Sequence, residues 1–217
     1  MNEMLYPVAT LLLASVSAVA VAGWIRCGRQ AKGYQRRLEA LEAKMEELRT
    51  IDEATGALNY HTFVKTANVQ IKLARRHKWP VSLMVVDIED LEDINLRYSF
   101  KTGDAVLRHF ADAIRKSIRS SDVIGRFGGS AIYILLPECG VNNINTVFQG
   151  IAQKVAADFP TQGEKRIEYT FSGGAVTMYG MQIHLNQMLE LAEKALEKAK
   201  KEKRRLVVVD KDGVELK

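Results

Sequence analysis

The sequence predicts an α/β domain built on a central mixed sheet, and three observations carry that prediction. Beyond residue 50, stretches of helical periodicity alternate with short apolar runs. One run, VSLMVVDI (81–88), is apolar almost throughout, as a strand covered on both faces must be. The segment DVIGRFGGSAIYILL (122–136) joins two short apolar strands through Gly128-Gly129, which is hairpin chemistry. At 217 residues the chain has room for one such domain and an extension. Charged residues at 26% and hydrophobic ones at 47% are ordinary for a folded domain, and a net charge of +5 is too mild to argue for a nucleic-acid partner. Cys27 and Cys139 lie far apart without metal-like spacing and read as two free thiols of a reducing compartment.

Taken in order, residues 1–4 form a short N-terminus on the non-cytoplasmic side. Residues 5–25, LYPVATLLLASVSAVAVAGWI, contain no charge and are long enough to cross a bilayer as a helix. Tyr6 and Trp24 sit near the two ends, where amphipathic aromatics favour the interface. A cleaved signal peptide is the rival reading, since Ala18-Val19-Ala20 resembles a cleavage site. Against it, MNEM carries Glu3 and no cation, whereas Arg26, Arg29, Lys32, Arg36 and Arg37 all follow the span. That asymmetry predicts a single-pass inner-membrane anchor with the rest of the chain in the cytoplasm. Over 26–50, Tyr34, Leu38, Leu41, Met45 and Leu48 step by four and three, the seam of a short coiled coil and of a homodimer.

Within 51–212, DEATGALNY reads as a turn leading into a helix over 59–78 that stops before Trp79-Pro80. The strand 81–88 ends on Asp87 and Ile88. Thr102-Gly103-Asp104 opens a helix whose Val106, Leu107, Phe110, Ile114 and Ile118 form one apolar stripe. After the hairpin come a helix over 143–158, a strand IEYTFSGGAVTMY (167–179) interrupted by glycine, a helix over 185–205 and a closing strand LVVVD. Residues 213–217 read as a C-terminal tail.

Four stretches now align with one family. DEATGALNYHTF resembles D-x-L-T-G-L-x-N-R-R-x-F, and DIEDLEDINLRYSFKTGDAVL resembles D-x-D-x-F-K-x-x-N-D-x-x-G-H-x-x-G-D-x-x-L. RFGGSAI stands where R-x-G-G-D-E-F would, and AEKALEKAKKEKR resembles A-D-x-A-L-Y-x-A-K-x-x-G-R. In this order the motifs resemble the GGDEF domains of diguanylate cyclases, which join two GTP molecules into cyclic di-GMP on a palm-like nucleotidyl-cyclase fold. The resemblance implies that Asp87 and the carbonyl of Ile88 belong to a metal site. It further implies that Asn95 and Asp104 read guanine, and that Lys200 and Arg204 grip a triphosphate. An amide and a carboxylate suit the donors and acceptors of guanine, and a spacing of four places both cations on one helix face.

The departures are concentrated. Ser130 and Ala131 replace the two signature acids, and Glu92 stands where the family has a lysine. Leu96, Ser99 and Phe100 replace an Asp and the Gly-His pair. Neither a methyl nor a neutral hydroxyl replaces a carboxylate toward Mg²⁺, and losing a positioned base costs about 10²–10⁴ in rate. These departures predict a chain that is not an enzyme, requires no cofactor, binds Mg²⁺ weakly at best and keeps only a vestige of the metal site.

Upstream, Arg119-x-x-Asp122 precedes Gly128 by five intervening residues, a spacing that resembles the family's inhibitory R-x-x-D site for cyclic di-GMP. A planar guanidinium suits both base stacking and phosphate. The expectation is a membrane-anchored, catalytically inactive cyclic di-GMP receptor that regulates a membrane partner, with exopolysaccharide secretion as the analogy. The alternatives are a nucleotide-independent dimerising scaffold and a GTP-binding sensor without catalysis.

Overall fold

The computed structural model describes residues 50–216, together with the helical positions Lys32, Tyr34, Gln35, Arg37 and Leu38. The chain divides into two units, Met1–Arg49 and Thr50–Lys217. The expected membrane span at 5–25 lies outside the described residues, and among those described no helix is long and apolar enough to cross a membrane. Of the proposed coiled-coil seam, Tyr34 and Leu38 are helical and exposed, while Leu41, Met45 and Leu48 lie outside the described residues.

The second unit is an α/β domain with a five-stranded mixed sheet in the order β2-β3-β1-β6-β7. Helix α1 (Tyr60–His77) starts where Asn59 accepts a hydrogen bond from the Thr62 amide and ends at Lys78 in the left-handed region. Strand β1 (Pro80–Ile88) is central and buried from Val81 onward, as its apolar run requires. Helix α2 (Leu91–Arg97) and helix α3 (Phe100–Arg115) follow. The start of α3 lies earlier than expected, because Ser99, not Thr102, supplies the capping oxygen, with Thr102 N donating to it at 3.2 Å. Strands β2 (Val123–Arg126) and β3 (Ala131–Pro137) form the expected hairpin.

Helix α4 (Val141–Ala157) crosses next, and an unanticipated small hairpin, β4 (Thr161–Gln162) with β5 (Lys165–Arg166), leads to β6 (Phe171–Tyr179). Gly173-Gly174 does not interrupt β6, contrary to the sequence reading. A side chain at Gly174 would come within 2.1 Å of the Leu196 amide nitrogen, so the glycine lets helix α5 (Leu185–Lys201) lie directly on the strand. Strand β7 (Leu206–Val209) pairs parallel with β6, which makes the sheet mixed.

Alternation along β1 divides the core. Met84 and Val86 pack with Phe110, Ile114, Phe148 and Phe171 beneath α3 and α4. Leu83 and Val85 pack with Phe63, Ile71, Met188 and Leu196 beneath α1 and α5. By the same two-residue period Asp87 leaves the sheet on the α5 side. That places it beside the cations at the end of α5.

Candidate functional site: a strand-end cleft and a helix-strand corner

The register of the sheet sets Asp87 between Ala131 on β3 and Ser172 on β6. Directly opposed side chains on neighbouring strands lie about 4.5–5.5 Å apart at Cβ, so position 131 adjoins Asp87 and offers it a methyl group. Asp87 Oδ2 accepts from the Lys200 ammonium, and Asp87 Oδ1 is buried without a partner among the described residues. A divalent cation would find one free carboxylate oxygen here, whereas Mg²⁺ takes about six oxygen ligands. No group of three or more metal-ligating side chains exists among the described residues. The site offers the Asp87 carboxylate and, at the cleft beside it, that of Glu89, and Mg²⁺ held by one or two carboxylates fills its remaining positions with water and phosphate oxygens.

The hairpin beside it is firmly built. Gly128 and Gly129 adopt φ of 99° and 63°, values that side chains resist. Arg126 Nε donates to the Gly129 carbonyl at 3.0 Å, and Arg126 Nη1 pairs with Asp52 Oδ2 at 2.8 Å. Burial pushes the Asp52 carboxyl up, but hydrogen bonds from Thr55 and Arg126 outweigh it and hold the group below the ordinary range. The opening D-x-x-T-G stretch thus anchors the hairpin tip through Arg126. Phe127 stacks on Tyr133 with ring centroids 4.1 Å apart and meets Tyr60 and Phe63 edge-on.

Next to Asp87 a cleft of about 560 Å³ is lined by Ile88, Glu89, Lys200, Lys203, Arg204 and Arg205, among others. Lys200 and Arg204 do meet at this cleft, although not on one helix face. Helix α5 ends at Lys201; Lys203 N donates to Lys200 O at 3.1 Å and Arg204 N to Ala199 O at 2.8 Å, with Lys203 at φ 54°. That is a Schellman-type helix end, which turns Arg204 out of the helical register. Arg204 pairs with Glu215 at 2.6 Å and Glu202 at 3.2 Å. Two acids here escaped the sequence reading. Hydrogen bonds from Ser172 and Thr170 hold the Glu89 carboxyl low, and its only sequence signal was the second acid of the D-x-D pattern. Glu215 had no signal at all.

Asn95 packs against Gly103 across the α2–α3 corner, one residue before Asp104. A side chain at Gly103 would lie 1.9 Å from Asn95 Oδ1, so that amide sits against the first turn of α3, and its Oδ1 is buried without a partner among the described residues. Asp104, next along, is exposed, as is Glu92 on the first turn of α2.

Arg119 and Asp122 form a separate corner between α3 and β2. The Arg119 backbone N–H donates to Asp122 Oδ2 at 2.8 Å, and the Asp122 N–H returns a bond to the Arg119 carbonyl at 3.1 Å. The carboxylate is thereby fixed, and burial pushes its pKa up. The exposed Arg119 guanidinium carries no ion pair among the described residues. Both residues border a hollow of about 60 Å³ with Pro137, Glu138, Cys139 and Asn143. Cys139 is a buried free thiol.

Comparison with known proteins agrees with this architecture. Residues 49–206 match the family described as "Diguanylate cyclase, GGDEF domain". A probable diguanylate cyclase of Escherichia coli K12, DgcT, is 29% identical over 73% of this chain and 35% of its own length. The chain thus spans about a third of that relative. In fold, the chain is similar to the diguanylate cyclase SiaD of Pseudomonas aeruginosa, solved with its activator SiaC (TM-score 0.68, 22% identity, 96% of this chain and 79% of that one). It is also similar to the coiled coil and GGDEF domain of DgcB from Caulobacter crescentus, solved with c-di-GMP (TM-score 0.67, 21% identity, 83% and 97%).

These findings correct the expectation, drawn from Ser130 and Ala131, that the chain is not an enzyme. The family it matches is enzymatic, and other curated relatives likewise carry the name diguanylate cyclase. A physical reason is visible in the hairpin, whose backbone is held by Gly128, Gly129, Arg126 and Asp52 without help from the side chains at 130 and 131. Substitution at the tip leaves the family's framework standing. The chain belongs to the GGDEF-domain family of diguanylate cyclases.

Proposed function

We propose that the protein is a membrane-anchored, dimeric GGDEF receptor that binds cyclic di-GMP at Arg119 and Asp122 and signals to a membrane partner through the 26–50 segment. One observation carries this reading: at a single corner the exposed Arg119 guanidinium makes no ion pair among the described residues while the Asp122 carboxylate is pinned by the Arg119 backbone. An exposed planar cation can stack on a base or pair with phosphate, and a fixed carboxylate can accept from guanine N–H groups. That the DgcB GGDEF domain was solved with c-di-GMP supports the choice of ligand.

Calorimetric titration of the full chain with cyclic di-GMP tests it. Hydrogen bonds to charged groups are worth about 1.5–3 kcal/mol, so Arg119→Ala should lose about tenfold or more in affinity, and Asp122→Ala a similar amount. Asp87→Ala, at the other site, should bind as the parent does. A parent that shows no binding, or an Arg119→Ala variant that binds equally well, would remove the receptor reading and leave a nucleotide-independent scaffold.

A second reading, a guanine nucleotide at the strand-end cleft, is favoured by the four cations Lys200, Lys203, Arg204 and Arg205 that line it. Charge-assisted hydrogen bonds from such cations suit phosphate oxygens.

A further inference from the structure

The cations of the strand-end cleft are not equivalent. Lys200 is committed to Asp87, and Arg204 to Glu202 and Glu215. Arg205 lies 5.4 Å from the centroid of the Phe171 ring. Lys203 alone has no carboxylate or ring partner among the described residues, and it is exposed. Its backbone sits at φ 54°, the position of a helix end that glycine normally fills because a Cβ is unwelcome there. A side chain kept in an unfavourable conformation at the rim of a cleft points to a use for that side chain.

Glu215 reaches the same place by a built route. The chain turns at 210–214, where Asp210 Oδ1 accepts from the Asp212 and Val214 amides at 2.9 Å each. Glu215 then bridges to Val209, and Leu216 N donates to Val208 O at 2.8 Å. This delivers the Glu215 carboxylate onto Arg204 and Lys198, each at 2.6 Å. Two oxygens bonded to two cations at the mouth of a cation-lined cleft reproduce the contacts of a bound phosphate. The segment read from sequence as a tail thus reaches Arg204, a residue that lines the cleft.

We propose that Glu215 is an internal stand-in for phosphate: a phosphate-bearing ligand captured by Lys203 displaces it from Arg204 and Lys198 and releases the 210–216 turn. The inference rests on the second reading above only in taking the ligand to carry phosphates, and it is independent of cyclic di-GMP at Arg119. Exchange of one anion for another at the same cations needs no net change in the pairing of Arg204, so the cost is the small one of a solvent-accessible ion pair.

The test uses the full chain and inorganic tripolyphosphate. Glu215→Gln, which keeps shape and removes charge, should bind about threefold to fivefold tighter, the size of an exposed ion pair. Lys203→Gly should bind weaker by a similar factor, and glycine suits that backbone, so folding is preserved. Saturating tripolyphosphate should speed hydrogen exchange at the Leu216 amide. Lys165→Ala removes the same charge from the remote β4–β5 hairpin and should change nothing. Parent affinity in Glu215→Gln or Lys203→Gly overturns the proposal. So does an equal loss in Lys165→Ala, unchanged protection at Leu216, or absence of binding at millimolar tripolyphosphate. Cyclic di-GMP titrated on the same samples reports on the Arg119 corner separately, so failure of either reading is recognised without the other.

Discussion

The two ends of this domain treat their cations in opposite ways. At the α3–β2 corner, Arg119 is exposed and without an ion pair among the described residues, and its acidic neighbour is held by backbone. At the strand-end cleft, Lys200 and Arg204 are both already paired, with Asp87 and with Glu202 and Glu215. The difference teaches that residues matching a motif are not thereby available: a ligand meets a ready guanidinium in one place and must compete with an internal carboxylate in the other. Availability is set by partners from distant parts of the chain, and motif spacing does not report them.

The largest effect that can separate the two regions is structural. Gly174→Ala places a methyl carbon against the α5 backbone, 2.1 Å from Leu196 N and 2.3 Å from Ala192 O. Overpacking of this kind costs about 1–3 kcal/mol, and backbone on the far side puts it at the upper end. A lower urea midpoint is expected, with tripolyphosphate binding weakened because α5 carries Lys198 and Lys200, while cyclic di-GMP binding to the folded fraction persists. An unchanged midpoint would mean that α5 is not seated as described.

A smaller effect comes from pH. Burial pushes the Asp122 pKa up, so on acidification its carboxylate is lost earlier than that of an ordinary aspartate. A ligand that donates to the charged form binds best above that pKa, and cyclic di-GMP affinity should fall as pH is lowered toward the carboxylate range. Hydrogen bonds from Arg204 and Lys198 hold Glu215 down at about 2. Its charge persists through the same interval and is lost only as pH falls through that lower value, so the latch stays closed where the corner weakens. Asp122→Asn should flatten the cyclic di-GMP profile; a profile identical to the parent's would show that Asp122 does not face the ligand.

Much of the fold was legible in the sequence because the signals are local. The apolar run 81–88, the glycines of the hairpin and the capping Asn59 each announce their element, and β1, the β2–β3 hairpin and α1 stand where those residues put them. The errors have two causes. Ser99 outcompeted Thr102 as a cap, Gly174 serves helix contact rather than strand interruption, and Lys203 ended α5 before Arg204 without the glycine that would have marked the stop. Gly174 answers to a distant helix, whereas the Ser99 cap and the helix end at Lys203 are local competitions between neighbouring residues. The candidate residues Asp87, Asn95, Asp104, Lys200, Arg204, Arg119 and Asp122 were named through the resemblance of their motifs to the family. Glu89 and Glu215 were not, because their roles arise from Ser172 and Arg204, which the fold brings to them.

Hydrogen exchange read at two amides tests the account most directly. The Asp122 amide donates to Arg119 O and the Leu216 amide to Val208 O, at 3.1 Å and 2.8 Å. Cyclic di-GMP should slow exchange at Asp122 and leave Leu216 as it was, because the ligand settles on the exposed Arg119 and not on the paired cations. Faster exchange at Leu216 with no change at Asp122 would place cyclic di-GMP in the strand-end cleft and contradict the assignment of the Arg119 corner as its site.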